Sequence, residues 1–123
     1  MRLLLDTHAF LWWETEHARL SADQHAAISS ITNQVYVSAV SAWEIAIKRA
    51  SGKLSFRGSV ARAIEKHRFT GLPISVEHTE KAGSLPQFHR DPFDRLLVAQ
   101  AQLEGLVIVT ADPLIFRYQV PHL

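Results

Sequence analysis

Residues 91–112, Asp-Pro-Phe-Asp-Arg-Leu-Leu-Val-Ala-Gln-Ala-Gln-Leu-Glu-Gly-Leu-Val-Ile-Val-Thr-Ala-Asp, restrict the fold more than any other stretch, because they demand a helix followed at once by a buried strand. Asp91 has the chemistry of an N-cap, Pro92 takes the first helical position where a missing N–H costs nothing, and Asp94 falls in the first turn. Gly105 ends the helix. Leu106–Val109 is then a continuous apolar, mostly β-branched run, too short for a helix and suited to a strand buried on both faces. It closes in Thr110-Ala111-Asp112-Pro113. The unit therefore carries one carboxylate where its helix begins and another where its strand ends.

The remaining chain repeats that alternation. Arg2–Leu5 reads as a first buried strand closed by Asp6-Thr7-His8, and Ala9–Trp13 as a helix covered on more than one side. Ser21-Ala22-Asp23-Gln24 has capping-box spacing ahead of a modest helix that Asn33 stops. Val35–Val37 is a second strand, followed by a helix that runs from about Ser38–Glu44 to Ser51, with Gly52 after it. Val60, Ala63, Ile64 and His67 recur at helical spacing between Phe56 and Phe69, and Gly71-Leu72-Pro73 breaks that helix. Ile74–Val76 is the candidate third strand, Glu77–Ala82 a short helix, and Tyr118–Val120 a last edge strand ending at Pro121. This order predicts an α/β chain with three αβα layers around a mostly parallel sheet of four to five strands, in a single domain over 1–123.

Composition bounds the function. The 123 residues include no cysteine, which removes a disulfide framework and a thiolate zinc site and fits a reducing compartment such as the cytoplasm without excluding an oxidising one. The N-terminal apolar run is interrupted by Asp6 and is too short for a membrane span. Net charge is only +1, yet Lys48–Arg68 holds seven Lys or Arg and one acid, Glu65.

In a parallel sheet the carboxyl ends of the strands share one edge, where ligands bind. Asp6 and Asp112 each end a strand, and Glu44 and Asp94 each sit in the first turn of a helix that can begin there. Each acid alone also fits a local helix role: Asp6, Asp91 and Asp112 as N-caps, Glu44 in the box Ser41-Ala42-Trp43-Glu44, and Asp94 at the positive end of its helix dipole. Together they would repel one another unless a cation compensates, and hard oxygen donors suit Mg²⁺ or Mn²⁺, one or two ions. The histidines, including His8 and His89, lack the i, i+4 spacing of a helical zinc motif, so a polar contact near the site is the expectation for them.

Leu3-Leu4-Leu5-Asp6-Thr7-His8, Ser41-Ala42-Trp43-Glu44-Ile45-Ala46-Ile47-Lys48, Gly52-Lys53-Leu54, His89-Arg90-Asp91-Pro92-Phe93-Asp94-Arg95-Leu96-Leu97 and Val109-Thr110-Ala111-Asp112 resemble, in order and over nearly the whole chain, the PIN-domain ribonucleases, and within them the VapC-like toxins. The resemblance implies a PIN-like fold and a catalytic, metal-binding set of Asp6, Glu44, Asp94 and Asp112. Thr7, Asp91, Thr110, Lys48 and Arg49 would lie beside it or contact substrate. It further implies Mg²⁺- or Mn²⁺-dependent endonucleolytic cleavage of RNA by an activated water, a homodimer, and an antitoxin partner. Asp112 is followed by Pro113, Leu114 and Ile115, so the acids stay at four.

The basic residues from Lys48 to Arg68 are candidates to track a phosphate backbone, with Lys48 one turn after Glu44. Trp12, Trp13 and Trp43 are candidates for an interface with a second copy or the antitoxin, with core packing the default for Trp43. Two rivals remain at this level. One is a non-catalytic RNA- or protein-binding module using residues 48–68 and surface tryptophans. The other is a receiver-like phosphoacceptor, which Leu5-Asp6-Thr7 disfavours because it lacks a second adjacent acid.

Overall fold

The computed structural model describes residues 1–123. Four parallel strands, β1 (Arg2–Leu5), β2 (Gln34–Ser38), β3 (Thr70–Leu72) and β4 (Val107–Val109), form one sheet in the order β3-β2-β1-β4. Helices α1 (Thr7–Thr15) and α2 (Ala22–Ser29) connect β1 to β2. Helices α3 (Ala39–Ala50) and α4 (Val60–Lys66) connect β2 to β3, and α5 (Val76–Ser84) and α6 (Pro92–Glu104) lead back to β4.

Central β1 shows why the sheet is covered twice. Leu3 and Leu5 belong to a core with Ala9 and Phe10 of α1, Ala27 and Ile28 of α2, Ile45 of α3 and Ala63 of α4. Leu4, pointing the other way as the two-residue strand period requires, belongs to a second core with Leu97, Val98 and Ala101 of α6 and Ile108 of β4. The chain moves from β1 towards β3 with α1, α2 and α4 on one face, then returns past β1 to β4 with α5 and α6 on the other. One right-handed crossover sense, run in opposite directions, produces that division. The reversal beside β1 leaves a crevice at the carboxyl ends of β1 and β4.

The local signals of α6 and α2 hold. Asp91 Oδ1 accepts from the amides of Phe93 and Asp94, and Gly105 closes α6 at φ 66°, a left-handed conformation that glycine adopts without a Cβ clash. The Ser21–Gln24 capping box is complete. α2 ends at Ser29, before Asn33, whose side-chain amide instead donates to the Ala27 carbonyl.

Three expectations fail. The third strand is Thr70–Leu72, whereas Ile74–Val76 opens α5: Ser75 caps it in a reciprocal box with His78, leaving Ile74 and Val76 exposed. Tyr118–Val120 is no strand, because Tyr118 and Val120 are drawn into the second core. Residues 121–123 flank β4 instead: Ile108 N donates to Pro121 O, Leu123 N to Ile108 O, and Thr110 N to Leu123 O. Trp43 does not pack into the core; it is 57% exposed and meets Phe93 edge to face. No helix is long and apolar enough to cross a membrane.

Candidate active site

Asp6 directly follows β1 and caps α1, its Oδ1 accepting from Ala9 N at 2.8 Å. Its Oδ2 accepts from the Thr110 hydroxyl at 2.6 Å, and that hydroxyl oxygen accepts from Asp112 N at 3.0 Å. Thr110 thus spans the crevice between β1 and β4 and fixes both acids. Asp112 uses Oδ1 to accept from Leu114 N, which leaves Oδ2 facing the site.

Asp94 enters from the opposite side, on the first turn of α6. His89, two residues before the N-cap, joins it to Asp112. His89 Nε2 lies 2.8 Å from Asp112 Oδ2 and 3.1 Å from Asp94 Oδ2. His89 Nδ1 accepts from Asp91 N at 3.1 Å, so in the neutral ring the proton sits on Nε2, between the two carboxylates. The three side chains have the spacing of a metal-binding group. His89 nevertheless cannot ligate through Nε2 while Nδ1 receives an amide proton, since a neutral imidazole has one lone pair and it is already in use. The Nε2 proton lies where opposite charge is wanted.

The loop that presents His89 is held by buried Arg95. Its guanidinium donates to the carbonyls of Ala82, Leu85, Pro86 and His89, and the Tyr118 hydroxyl donates to Pro86 O while accepting from His89 N.

Glu44 is 3% exposed, on the buried face of α3. Here too the expectation needs correction: Ser38 is the N-cap, accepting from Val40 N, so α3 starts before Ser41 and Glu44 lies in its second turn instead of completing a capping box. Thr7 donates its hydroxyl proton to Glu44 Oε1 at 2.6 Å and sits 2.9 Å from the Ser41 hydroxyl. Lys48 pairs with Oε2 at 2.5 Å. That contact holds the Lys48 ammonium more tightly protonated than usual.

The carboxylates sense one another. Burial, then the charge of Asp91, outweigh the lowering effect of His89, and Asp6 and Glu44 add to them, so the Asp94 carboxyl is pushed up to about 7. Asp6 is also raised, chiefly by burial and against the pull of its Thr110 and Ala9 hydrogen bonds, with Asp112 contributing repulsion. Six of the residues singled out from sequence, Asp6, Thr7, Glu44, Asp94, Thr110 and Asp112, are therefore joined by contacts or by their fields, and Asp91 caps the helix beside them.

The basic stretch is divided by the fold. Lys48 and Lys53 line a cleft of about 230 Å³ with Thr7, His8 and Glu44. Arg49 donates to the carbonyls of Phe56 and Gly58 and so secures the loop after α3. Arg68 lies beside Gln34 and Thr70, where β2 and β3 begin, on the rim opposite the acids. The seven cations do not form one track. Sequence reasoning gave His89 only a polar contact near the site; its place two residues before a capping aspartate, on the loop that delivers Asp94, is the signal that marks it.

A PIN-domain family model matches residues 3–120. Ribonuclease VapC22 of Mycobacterium tuberculosis is 34% identical over 128 residues, covering 98% of this chain and 94% of that protein. Among solved structures, VapBC2 from Rickettsia felis, bound to a DNA fragment from its promoter, superposes with TM-score 0.71 at 14% identity, covering 100% of this chain and 98% of that one. A toxin–antitoxin complex from Klebsiella pneumoniae gives TM-score 0.68 at 18% identity, covering 98% and 95%.

Proposed function

The chain belongs to the PIN-domain family, and on that footing we propose that it is a divalent-metal-dependent endoribonuclease, the toxin half of a toxin–antitoxin pair. One observation carries the reading: Asp6, Glu44, Asp94 and Asp112 converge at the carboxyl edge of the sheet, oriented by Thr7, Thr110 and His89. Of the four, only Glu44 has a lysine or arginine partner, Lys48. The raised proton affinity of Asp94, set first by burial and then by Asp91 with Asp6 and Glu44 adding, fits a carboxylate without a full countercharge.

Hard oxygen donors of this number fit Mg²⁺ or Mn²⁺, singly or as a pair, with Asp6, Asp94 and Asp112 as principal ligands and Glu44 as a further one. Such an ion, when bound, supplies the Lewis acidity that polarises a phosphodiester and acidifies a water for in-line attack. The chain supplies the rest. Thr110 fixes the Asp6 carboxylate and the Asp112 backbone amide, and Thr7 fixes Glu44 Oε1. Lys53, exposed in the flanking cleft, is placed to receive a substrate phosphate, as is Lys48 when it leaves Glu44. No side chain is needed as nucleophile.

We read the chain as one catalytic domain over 1–123, acting in the cytoplasm as a homodimer and restrained by a cognate antitoxin. The antitoxin-bound relatives support that last reading, and the exposed Trp43, with Phe93 against it, offers the kind of aromatic anchor such a partner uses. Purified protein should cut RNA when given Mg²⁺ or Mn²⁺ and stop when the ion is chelated. Asp94→Asn should lower the rate by about a hundredfold or more. Undiminished cleavage by that variant sinks the assignment.

A further inference from the structure

Beside the acids, on the Asp112 side, lies a second cleft of about 310 Å³, lined by Asp6, His8, Trp12, Arg19, Asp112 and Pro113. We propose that it is a base-stacking subsite for single-stranded RNA, in which Trp12 and Arg19 hold the nucleotide next to the scissile phosphate; this deepens the ribonuclease reading and rests on it.

His8 and Trp12 are four residues apart on α1 and so lie on one face, their ring centroids 5.9 Å apart and tilted by 39°. The Arg19 guanidinium, from the 3₁₀ turn His17–Arg19, lies over the Trp12 ring at 4.9 Å. Trp12 also packs against the core below it, so the platform is held in place before any ligand arrives. Arg19 makes one ion pair, long and solvent-exposed, and so is only weakly held by it. Its nearest acid, Glu16, is 3.7 Å away, and both side chains are more than half exposed, at 59% and 54%.

Two requirements of RNA meet here. A base needs a flat partner, and with the core below Trp12 and the Arg19 guanidinium over it, the outer side of that guanidinium offers any base a planar surface to stack on. A polyanion approaching four carboxylates also needs compensating charge on each flank. Lys48 and Lys53 supply it in one cleft, and Arg19 supplies it in the other. His8 lines both clefts, so a strand can cross the acids with phosphates against the lysines on one side and a base on the Arg19–Trp12 pair on the other. A duplex, whose bases are already stacked on one another, cannot use the platform.

Binding of a short fluorescein-labelled single-stranded RNA, followed by anisotropy in an Asp94→Asn background so that nothing is cut, tests the assignment. Trp12→Ala should weaken binding on the order of ten- to a hundredfold, Trp12→Phe should keep most of it, and blunt duplex RNA should bind the Asp94→Asn parent and both Trp12 variants alike. Arg19→Ala, at an exposed side chain that the fold does not need, should weaken binding and flatten its salt dependence. If Arg19→Ala and a folded Trp12→Ala bind the single strand as tightly as the parent, while the unmutated protein still cleaves RNA, the subsite is wrong and the ribonuclease reading stands. A protein that neither binds nor cleaves RNA overturns both.

Discussion

His89 Nε2 donates to Asp112 Oδ2 across 2.8 Å, so one proton joins the loop before α6 to the end of β4. The same nitrogen is 3.1 Å from Asp94 Oδ2, and Asp91 N keeps the ring in that tautomer. In the metal-free protein this imidazole does part of what a cation would do. His89→Ala should therefore cost about 1–3 kcal/mol of stability without metal, and less when Mn²⁺ is added, because an ion held by Asp94 and Asp112 would offset the same negative charge. Urea melts with and without Mn²⁺ read the difference; an equal loss in both contradicts the role.

Asp94 gives a pH signature. Its folded pKa, about 7, lies above the ordinary value of 3.8, so the native state holds a proton that the unfolded chain releases. The stabilisation is complete below about 3.8 and is lost as pH rises through about 7. Asp94→Asn should remove that part of the slope, leaving the metal-free variant on the order of 1–3 kcal/mol more stable than the parent at pH 8. Denaturant midpoints from pH 5 to 8 check it. Metal binding should release a proton in the same window, measurable as buffer-dependent heat, and a parent curve parallel to that of Asp94→Asn would count against the argument.

Thr110 orients two acids with one hydroxyl. Thr110→Val keeps the shape, loses the hydrogen bonds, and should cut cleavage about ten- to a hundredfold through weaker metal affinity. Raising Mn²⁺ should recover much of the rate. Failure of high Mn²⁺ to help would place the defect elsewhere.

Arg95 is 8% exposed and has no carboxylate partner; its donors go to four carbonyls. A lysine ammonium cannot fork to all of them. Arg95→Lys should cost about 2–4 kcal/mol and, by loosening the loop that carries His89, lower cleavage by the molecules that remain folded. Thermal melts and single-turnover cleavage separate the two effects; unchanged stability removes the premise.

Legibility followed the range of the physics. Helix α6 and strand β4 were readable because Asp91, Pro92, Gly105 and the run 106–109 act within a turn of themselves. The four acids were readable because strand ends and helix starts meet at one edge of a parallel sheet. Glu44 was placed one turn early, since Ser38 competes with Ser41 as cap and only the packed chain decides between them. β3 was missed because Thr70-Gly71-Leu72 has little strand character of its own and is made a strand by its ladder to Val37 and Ser38. His89 required the whole Arg95–Tyr118 scaffold to come within reach of Asp112. The basic stretch misled for the same reason: nearness in sequence put Lys48 and Arg68 in one group, and the crossover sent them to opposite rims.

The tail that lies along β4 bears on how the molecule behaves among copies of itself. Pro121 O and Leu123 N and O occupy the outward amides and carbonyl of Ile108 and Thr110, and Gln24 of α2 pins the Leu123 carbonyl. Proteolytic removal of residues 121–123 would expose a short apolar strand edge next to the catalytic crevice. Clipped chains should then associate edge to edge, so aggregation and loss of the Thr110 anchor should appear together.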